Sequence, residues 1–181
     1  MYYAGRVDEA LPLYERLYVS GPEARLTFGA SSRGPLFEDI PVIRIMRVAH
    51  ARKIAGDESG ALDAAKLARQ GHNRLLAAGR SNHNRDLAHA MISAFDGEPE
   101  GMIAALRSAV RHGWRDADVF DEVVFEEWAG DLRFVAVKDE MDAILAAERE
   151  EVLQLICLNN PVPDDWQPLP ETCDGVTKQL P

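Results

Sequence analysis

The stretch from residue 5 to residue 17 reads Gly-Arg-Val-Asp-Glu-Ala-Leu-Pro-Leu-Tyr-Glu-Arg-Leu, and Pro22 follows it. Its glycine, alanine, tyrosine, last leucine and the proline follow one another at intervals of five, four, three and five residues. Intervals of three and four residues place side chains on one face of a helix, and Gly and Pro mark helix ends. The stretch therefore predicts the second helix of a helical hairpin that is repeated along the chain.

The same spacing recurs twice, more weakly, further along the chain. Each copy starts at a glycine and continues with apolar residues at intervals of five, four and three. The three glycines, Gly5, Gly56 and Gly97, lie 51 and 41 residues apart and indicate three hairpins. The two weaker copies consist of Gly56, Ala61, Ala65 and Ala68, and of Gly97, Met102, Leu106 and Ala109.

This spacing resembles the second half of a tetratricopeptide repeat (TPR). In that family a glycine ends the first helix, a small residue lets the second helix pack closely, an aromatic residue fills the gap and a proline closes the unit. The family's period is about 34 residues. The resemblance therefore implies longer helices or inserted connections in this chain, and residues 22–35, rich in Gly, Pro and Ser, are the obvious insertion.

The later part of the chain resembles the end of TPR regions in large bacterial regulatory proteins. Gly113-Trp114-Arg115 is followed by acidic and aromatic residues and then by Asp131-Leu132-Arg133-Phe134. Winged-helix regulators, adenylate-cyclase-like proteins and kinases of that grouping carry the region beyond their effector domains, and its last helix begins with Asp-Pro-Arg-Phe. Leu132 stands here in place of the proline. The resemblance implies the C-terminal part of such a regulatory or signalling protein.

Apolar residues recur every three or four positions, and alternation of the strand type is essentially absent. This pattern predicts an all-α protein. We expect helices over 37–55, 58–78, 82–96 and 99–112, short helices after residue 113, and one long last helix from about residue 131 to 157.

These helices indicate an antiparallel helix-hairpin (TPR-like) solenoid with a long C-terminal capping helix and an irregular Pro-rich tail. The hairpins occupy residues 1–113, with the first hairpin truncated at its start. The capping helices occupy 114–158, because a solenoid must cover the packing face of its final repeat. The tail occupies 159–181 and holds five of the ten prolines, so it cannot continue a helix.

Charge is distributed unevenly along the chain. Residues 1–113 hold 15 basic and 13 acidic side chains, whereas residues 114–181 hold 5 basic and 17 acidic ones, which gives the total of −10. An acidic protein lacks the broad positive field that nucleic-acid backbones require, so we expect no nucleic-acid partner. The sequence also has neither an apolar run of membrane-spanning length nor a signal-peptide pattern at its start, so we expect no membrane insertion by this chain.

The two cysteines, Cys157 and Cys173, are too few for a disulfide-stapled scaffold and do not form a CxxC pair. The simplest interpretation is a buried Cys157 on the last helix and a free Cys173 in the tail. A disulfide between them is the alternative, and it requires an oxidising compartment.

The sequence contains none of the common catalytic or nucleotide-binding motifs, among them HExxH, GxSxG and GxxxxGK[ST]. His83 and His89 are six residues apart and lie far apart around a helix, which does not suit a metal site. Glu126, Glu127 and Asp131 gather near Trp128, and we interpret them as surface charges. We therefore expect no enzyme activity, no cofactor and no metal.

The expected function is protein–protein interaction or sensing. Stacked hairpins expose a concave groove lined by their first helices, and such a groove accepts a peptide, a partner domain or a tail of the same chain. Counting back from the repeat glycines, we predict that four residues face this groove: His50, Lys53, Asn84 and Met91. The alternatives are an enzyme with an unrecognised site and a structural spacer that forms a homodimer through the long acidic helix.

Overall fold

The computed structural model describes residues 7–16, 39–159, 172, 173 and 176. Every regular element in these ranges is a helix, and no strand occurs among them. The prediction of an all-α protein is therefore confirmed for the described part of the chain. The predicted insertion over 22–35, and all of the predicted Pro-rich tail except residues 159, 172, 173 and 176, lie outside the described residues.

The helices follow the predicted order, and the four central ones end within two residues of their predicted bounds. We number the α-helices in chain order: α1 (Val7–Tyr14), α2 (Asp39–Ile54), α3 (Glu58–Ala77), α4 (His83–Phe95), α5 (Pro99–Arg111) and α6 (Leu132–Gln154). Two 3-10 helices, Ala117–Asp121 and Val123–Trp128, lie between α5 and α6, and a short π-helix, Leu155–Asn159, follows α6.

Local signals account for the helix ends. Gly56 and Gly97 follow α2 and α4 with φ angles of 80° and 71°, a backbone region that strains any residue with a side chain. At the next helix start, the Asp57 side chain accepts a 2.9 Å hydrogen bond from the Gly60 amide. Two of the three repeat glycines therefore turn the chain between paired helices.

The central helices form two antiparallel pairs, α2 with α3 and α4 with α5. Helix α4 also contacts α2 and α3, so the second pair packs against the first. Small residues line these contacts, and Ala65, Ala68, Ala90 and Ala94 are fully buried. Because alanine has no side chain beyond Cβ, it lets neighbouring helices approach closely and leaves no room for larger residues.

We predict that Ala109→Leu destabilises the protein. Ala109 is 2% exposed on the buried side of α5, and three more carbon atoms there would overpack the core at a cost of about 1–3 kcal/mol. The matched control is Ala104→Leu, because Ala104 lies on the exposed side of the same helix. Denaturant unfolding of both variants measures the difference. Equal midpoints for the two variants would contradict the packing of α5.

The two 3-10 helices contribute to the same core as the α-helices. Val119, Phe120, Val124 and Phe125 are buried. The Phe134 ring, on the first turn of α6, lies 5.4 Å from the Phe120 ring and 5.7 Å from the Phe125 ring. The second 3-10 helix also contacts α2 and α4. The acidic and aromatic segment thus packs back onto the first helices of both pairs.

An ion pair joins this segment to α2. Nε of Arg47 donates a 2.9 Å hydrogen bond to Oε2 of Glu122, and Nη2 of Arg47 donates to Oε1 of the same carboxylate. Glu122 is 1% exposed although it belongs to the acidic part of the sequence. Paired bonds of this kind are strong and directional, and a buried carboxylate requires them.

We predict that Glu122→Ala lowers the free energy of unfolding by about 3 kcal/mol, because it removes the buried carboxylate that accepts two hydrogen bonds from the Arg47 guanidinium. The matched control is Glu100→Ala, which breaks the exposed ion pair with Arg133 and should lower the free energy of unfolding much less. Urea unfolding of both variants compares the two pairs. A similarly small loss of unfolding free energy in both variants would show that the ion pair of Glu122 does not hold the segment of the two 3-10 helices against α2.

The chain divides into two compact units; the first ends at Val137 and the second begins at Lys138, both within α6. In the first unit Phe134 and Val137 are buried, as a packing stripe along the last helix predicts. Further along α6 and in the π-helix, Val152 and Leu155 are about half exposed, so the stripe does not remain buried along its whole predicted length. The role of α6 as a cap stays a prediction.

In the second unit Cys157 and Cys173 form a disulfide, with their Cα atoms 5.6 Å apart. This corrects the interpretation of a free thiol at Cys173, because the two cysteines lie close enough for their sulfurs to bond. Among the described helices, none is long and apolar enough to cross a membrane.

Candidate functional site

A pocket of about 480 Å³ lies in the first unit, and we call it the α2 pocket. One wall is the C-terminal end of α2, and the other is the second 3-10 helix. Its lining comprises His50, Lys53, Ile54, Val123, Val124, Glu126 and Glu127. Two of the four predicted groove residues, His50 and Lys53, therefore lie at one pocket.

His50 forms the buried part of this pocket and is 5% exposed. Its Nε2 lies 3.4 Å from the carbonyl oxygen of Met91, and its ring meets the Phe95 ring edge-on at 5.2 Å. A carbonyl accepts only from a protonated nitrogen, so the neutral ring carries its proton on Nε2. The pKa of His50 is lowered to about 4, because burial and, to a smaller extent, the nearby Lys53 charge lower it more than the bond to Met91 raises it.

Lys53 lies one turn further along α2, with its Nζ 5.3 Å from the centre of the Phe95 ring. A cation at this distance is attracted by the negative face of an aromatic ring. The Lys53 charge is therefore placed beside Phe95, where it also disfavours protonation of His50.

The opposite wall carries two carboxylates, Glu126 and Glu127, on one turn of the second 3-10 helix. Both residues are exposed, and neither carboxylate has a hydrogen-bond or ion-pair partner among the described residues. Ile54, which is 58% exposed, provides an apolar surface between the charges. The pocket thus combines an apolar surface with two unpaired negative groups.

The other two predicted groove residues are placed differently. Met91 is fully buried on α4, so its side chain belongs to the core and offers no surface to a partner; only its backbone carbonyl, through His50, reaches the pocket. The second 3-10 helix contacts α4, the helix that carries Met91. Asn84 is half-buried at the first turn of α4 and does not line the α2 pocket. Binding by any of the four residues stays a prediction.

A serine, an aspartate and a histidine also meet, where α4 packs against α5. The Ser108 hydroxyl donates to Oδ2 of Asp86 at 2.7 Å, and Nδ1 of His112 lies 2.6 Å from the same oxygen. Ser108 and Asp86 thus contact the same side of the ring, and the imidazole does not lie between them as it must to activate a serine. This cluster joins two helices and does not form a nucleophile.

Arg85 completes the cluster by donating to Oδ1 of Asp86 at 3.0 Å. Burial is the largest influence on the pKa of Asp86 and raises it, but the hydrogen bonds from Ser108, Arg85 and His112 outweigh burial and hold the pKa below its usual value. Asp86 is therefore a buried, ionised carboxylate. Elsewhere in the described residues, no group of three or more His, Cys, Asp or Glu side chains is placed to hold a metal ion.

Sequence reasoning identified Glu126 and Glu127 only as surface charges and did not include the neighbouring valines in any site. The Val-Val-Phe run of residues 123–125 could have placed these glutamates and valines in one site. Three consecutive apolar residues indicate that this short helix is anchored in the core. Comparisons with known protein families, curated proteins and solved structures found no match to this chain. The α2 pocket is therefore interpreted from its own chemistry.

We predict that the protein loses stability as the pH falls from 6.5 to 4, in part through His50. With a folded-state pKa of about 4 and an unfolded value near 6.5, only the unfolded chain takes up this proton in that window, which costs about 3 kcal/mol. Urea unfolding at several pH values gives the free energy of unfolding as a function of pH. Its slope against pH should be shallower for His50→Gln than for the wild type. His83→Gln, a change at a less buried histidine, should keep the wild-type slope, and a loss of slope there instead would contradict the assignment to His50.

Proposed function

We propose that this chain is a non-catalytic protein–protein interaction or regulatory module built from TPR-like hairpins. Its working surface in this proposal is the α2 pocket, and its partner is a peptide segment that carries a basic side chain next to an apolar one. The resemblance described above supports a place in the C-terminal part of a larger bacterial regulatory or signalling protein.

The packing of the helices supports a repeat architecture. Helix α4 contacts both members of the preceding pair, as a first helix does when hairpins stack. The first helices of the two pairs, α2 and α4, are therefore neighbours. In a stacked array this is the side that binds extended segments.

Another segment of the same chain already packs against part of the surface that α2 and α4 form. The second 3-10 helix contacts both α2 and α4, and the ion pair of Arg47 with Glu122 anchors its start. An acidic stretch thus satisfies a basic side chain of the hairpins within one molecule. What remains open to a partner is the α2 pocket at the end of α2.

The observation that carries the proposal is the pair of unpaired carboxylates, Glu126 and Glu127, across the pocket from the exposed side chain of Ile54. Two like charges on adjacent residues attract a cation, and a partially enclosed site screens that attraction less than open water does. Lys53 also lines the pocket, with its Nζ beside the Phe95 ring, so the described lining holds one ammonium group and two carboxylates. A lysine or arginine of a partner satisfies the carboxylates, and an apolar neighbour covers Ile54.

We predict that peptides selected from a random display library on the wild-type protein are enriched in Lys and Arg next to an aliphatic residue. Replacing both carboxylates (E126Q and E127Q) should weaken binding of the selected peptides about tenfold, because two ion pairs at an exposed surface together contribute about 1–2 kcal/mol. Isothermal titration calorimetry with synthetic peptides measures this loss. Binding should also weaken with added salt.

The matched control removes two exposed acids from α3 (E58Q and D63N) and so makes the same change in net charge within the same unit but outside the pocket lining. This variant should bind the selected peptides within about twofold of wild type, since exposed charges that do not touch the bound peptide are screened by salt. Selection of acidic or purely apolar peptides, or equal weakening in both double variants, would overturn the proposed surface.

A further inference from the structure

A second concavity lies between α3 and α4 and is independent of the α2 pocket. We call it the α3–α4 pocket; its volume is about 310 Å³, at the lower end of small-molecule sites. Its polar lining comprises Arg69, His72, Asn73, Arg85, His89 and Asp96. Two aliphatic side chains, Leu76 and Ile92, complete the lining.

His72 is the feature that the fold does not explain. It is 6% exposed, and its Nδ1 is buried without a hydrogen-bond partner among the described residues. Most buried polar groups in proteins are hydrogen-bonded, so an orphaned ring nitrogen in a pocket wall indicates a missing partner. The His89 ring lies 5.3 Å away from it across the two helices. Burial, with His89 and Arg85, lowers the pKa of His72 to about 4, so the ring is neutral at pH 7.

The arginines of this pocket keep unused donors. Arg69 pairs with Asp96 through Nε and Nη2, which leaves three of its five N–H groups for other acceptors. Arg85 uses three N–H groups, two on Asp86 and one on the Arg80 carbonyl, which leaves two. Asp86 itself is buried outside the pocket lining.

The unused donors of the lining therefore favour an anion. Each guanidinium pairs with one carboxylate, Arg69 with Asp96 and Arg85 with the buried Asp86, and still has N–H groups to offer, and the Asn73 amide adds further donors. The half-exposed Leu76 and the neighbouring Ile92 offer an apolar surface beside these donors. A bare inorganic ion would leave that surface uncovered, whereas an organic acid would cover it.

We propose that the α3–α4 pocket binds a small aliphatic carboxylate, whose oxygens accept from Arg69 and Arg85 and whose hydrocarbon part lies on Leu76 and Ile92. The His72 ring lies at the wall of this site, where a bound ligand supplies the polar neighbour that it lacks. This site does not depend on peptide binding at the α2 pocket, so either proposal can fail alone.

The test compares isovalerate with isovaleramide, which has the same hydrocarbon part without the charge, and with inorganic phosphate, which has charge without hydrocarbon. We expect saturable binding of isovalerate by calorimetry at constant ionic strength, with at least about tenfold weaker binding of both other probes, because each lacks one of the two contacts. In nuclear magnetic resonance spectra, isovalerate should shift the imidazole signals of His72 and His89.

The variant Arg69→Gln should weaken isovalerate binding about tenfold by removing donors and a charge from the pocket. Its matched control is Arg74→Gln, because Arg74 lies exposed on the same helix and outside the lining. The control should bind isovalerate as wild type does, and thermal unfolding should show that both variants remain folded.

Any one of the following results would overturn the proposal. The first is equal binding of isovaleramide and isovalerate, which would make the pocket merely apolar. The second is phosphate binding as tight as that of isovalerate, which would make it a site for any anion. The third is no saturable effect of isovalerate on the His72 signals, or the same affinity in the Arg69→Gln and Arg74→Gln variants.

Discussion

The ion pair between Arg47 and Glu122 is the interaction on which the candidate site depends. It joins residues 75 positions apart in the chain and fixes the start of the second 3-10 helix against α2. Val124 and Phe125 follow directly and enter the core, so the exposed side of the same short helix becomes a wall of the α2 pocket. One buried carboxylate thus determines where Glu126 and Glu127 stand.

Phe95 links the two pockets of the first unit. His50 meets its ring edge-on, and the cationic groups of Lys53 and Arg69 lie 5.3 Å and 5.9 Å from its centre. At these distances an aromatic ring attracts both cations. The α2 pocket holds Lys53 together with two carboxylates in its described lining, whereas Arg69 brings its remaining donors to the α3–α4 pocket. The α2 pocket therefore presents mainly carboxylates, whereas the neighbouring α3–α4 pocket presents guanidinium donors.

The candidate site was predictable only in part. Spacing before the repeat glycines selected His50 and Lys53, and both residues line the α2 pocket. The same reasoning failed for Met91, since periodicity indicates one side of a helix but not the element that covers it. Glu122 was also missed; within an acidic run, nothing local distinguishes a buried carboxylate from its exposed neighbours. His72 looked like any other polar side chain on a helix surface.

The sequence by itself determined the helices, their order and their ends, because these depend on contacts within a few residues: apolar recurrence, the Asp57 and Asn82 caps, and the glycines at positions 56 and 97. Only the tertiary structure decided which charges are buried, which face of α4 is covered and that Cys157 bonds Cys173. Those outcomes depend on groups far apart in the chain, and their energies arise only when folding removes water from between them.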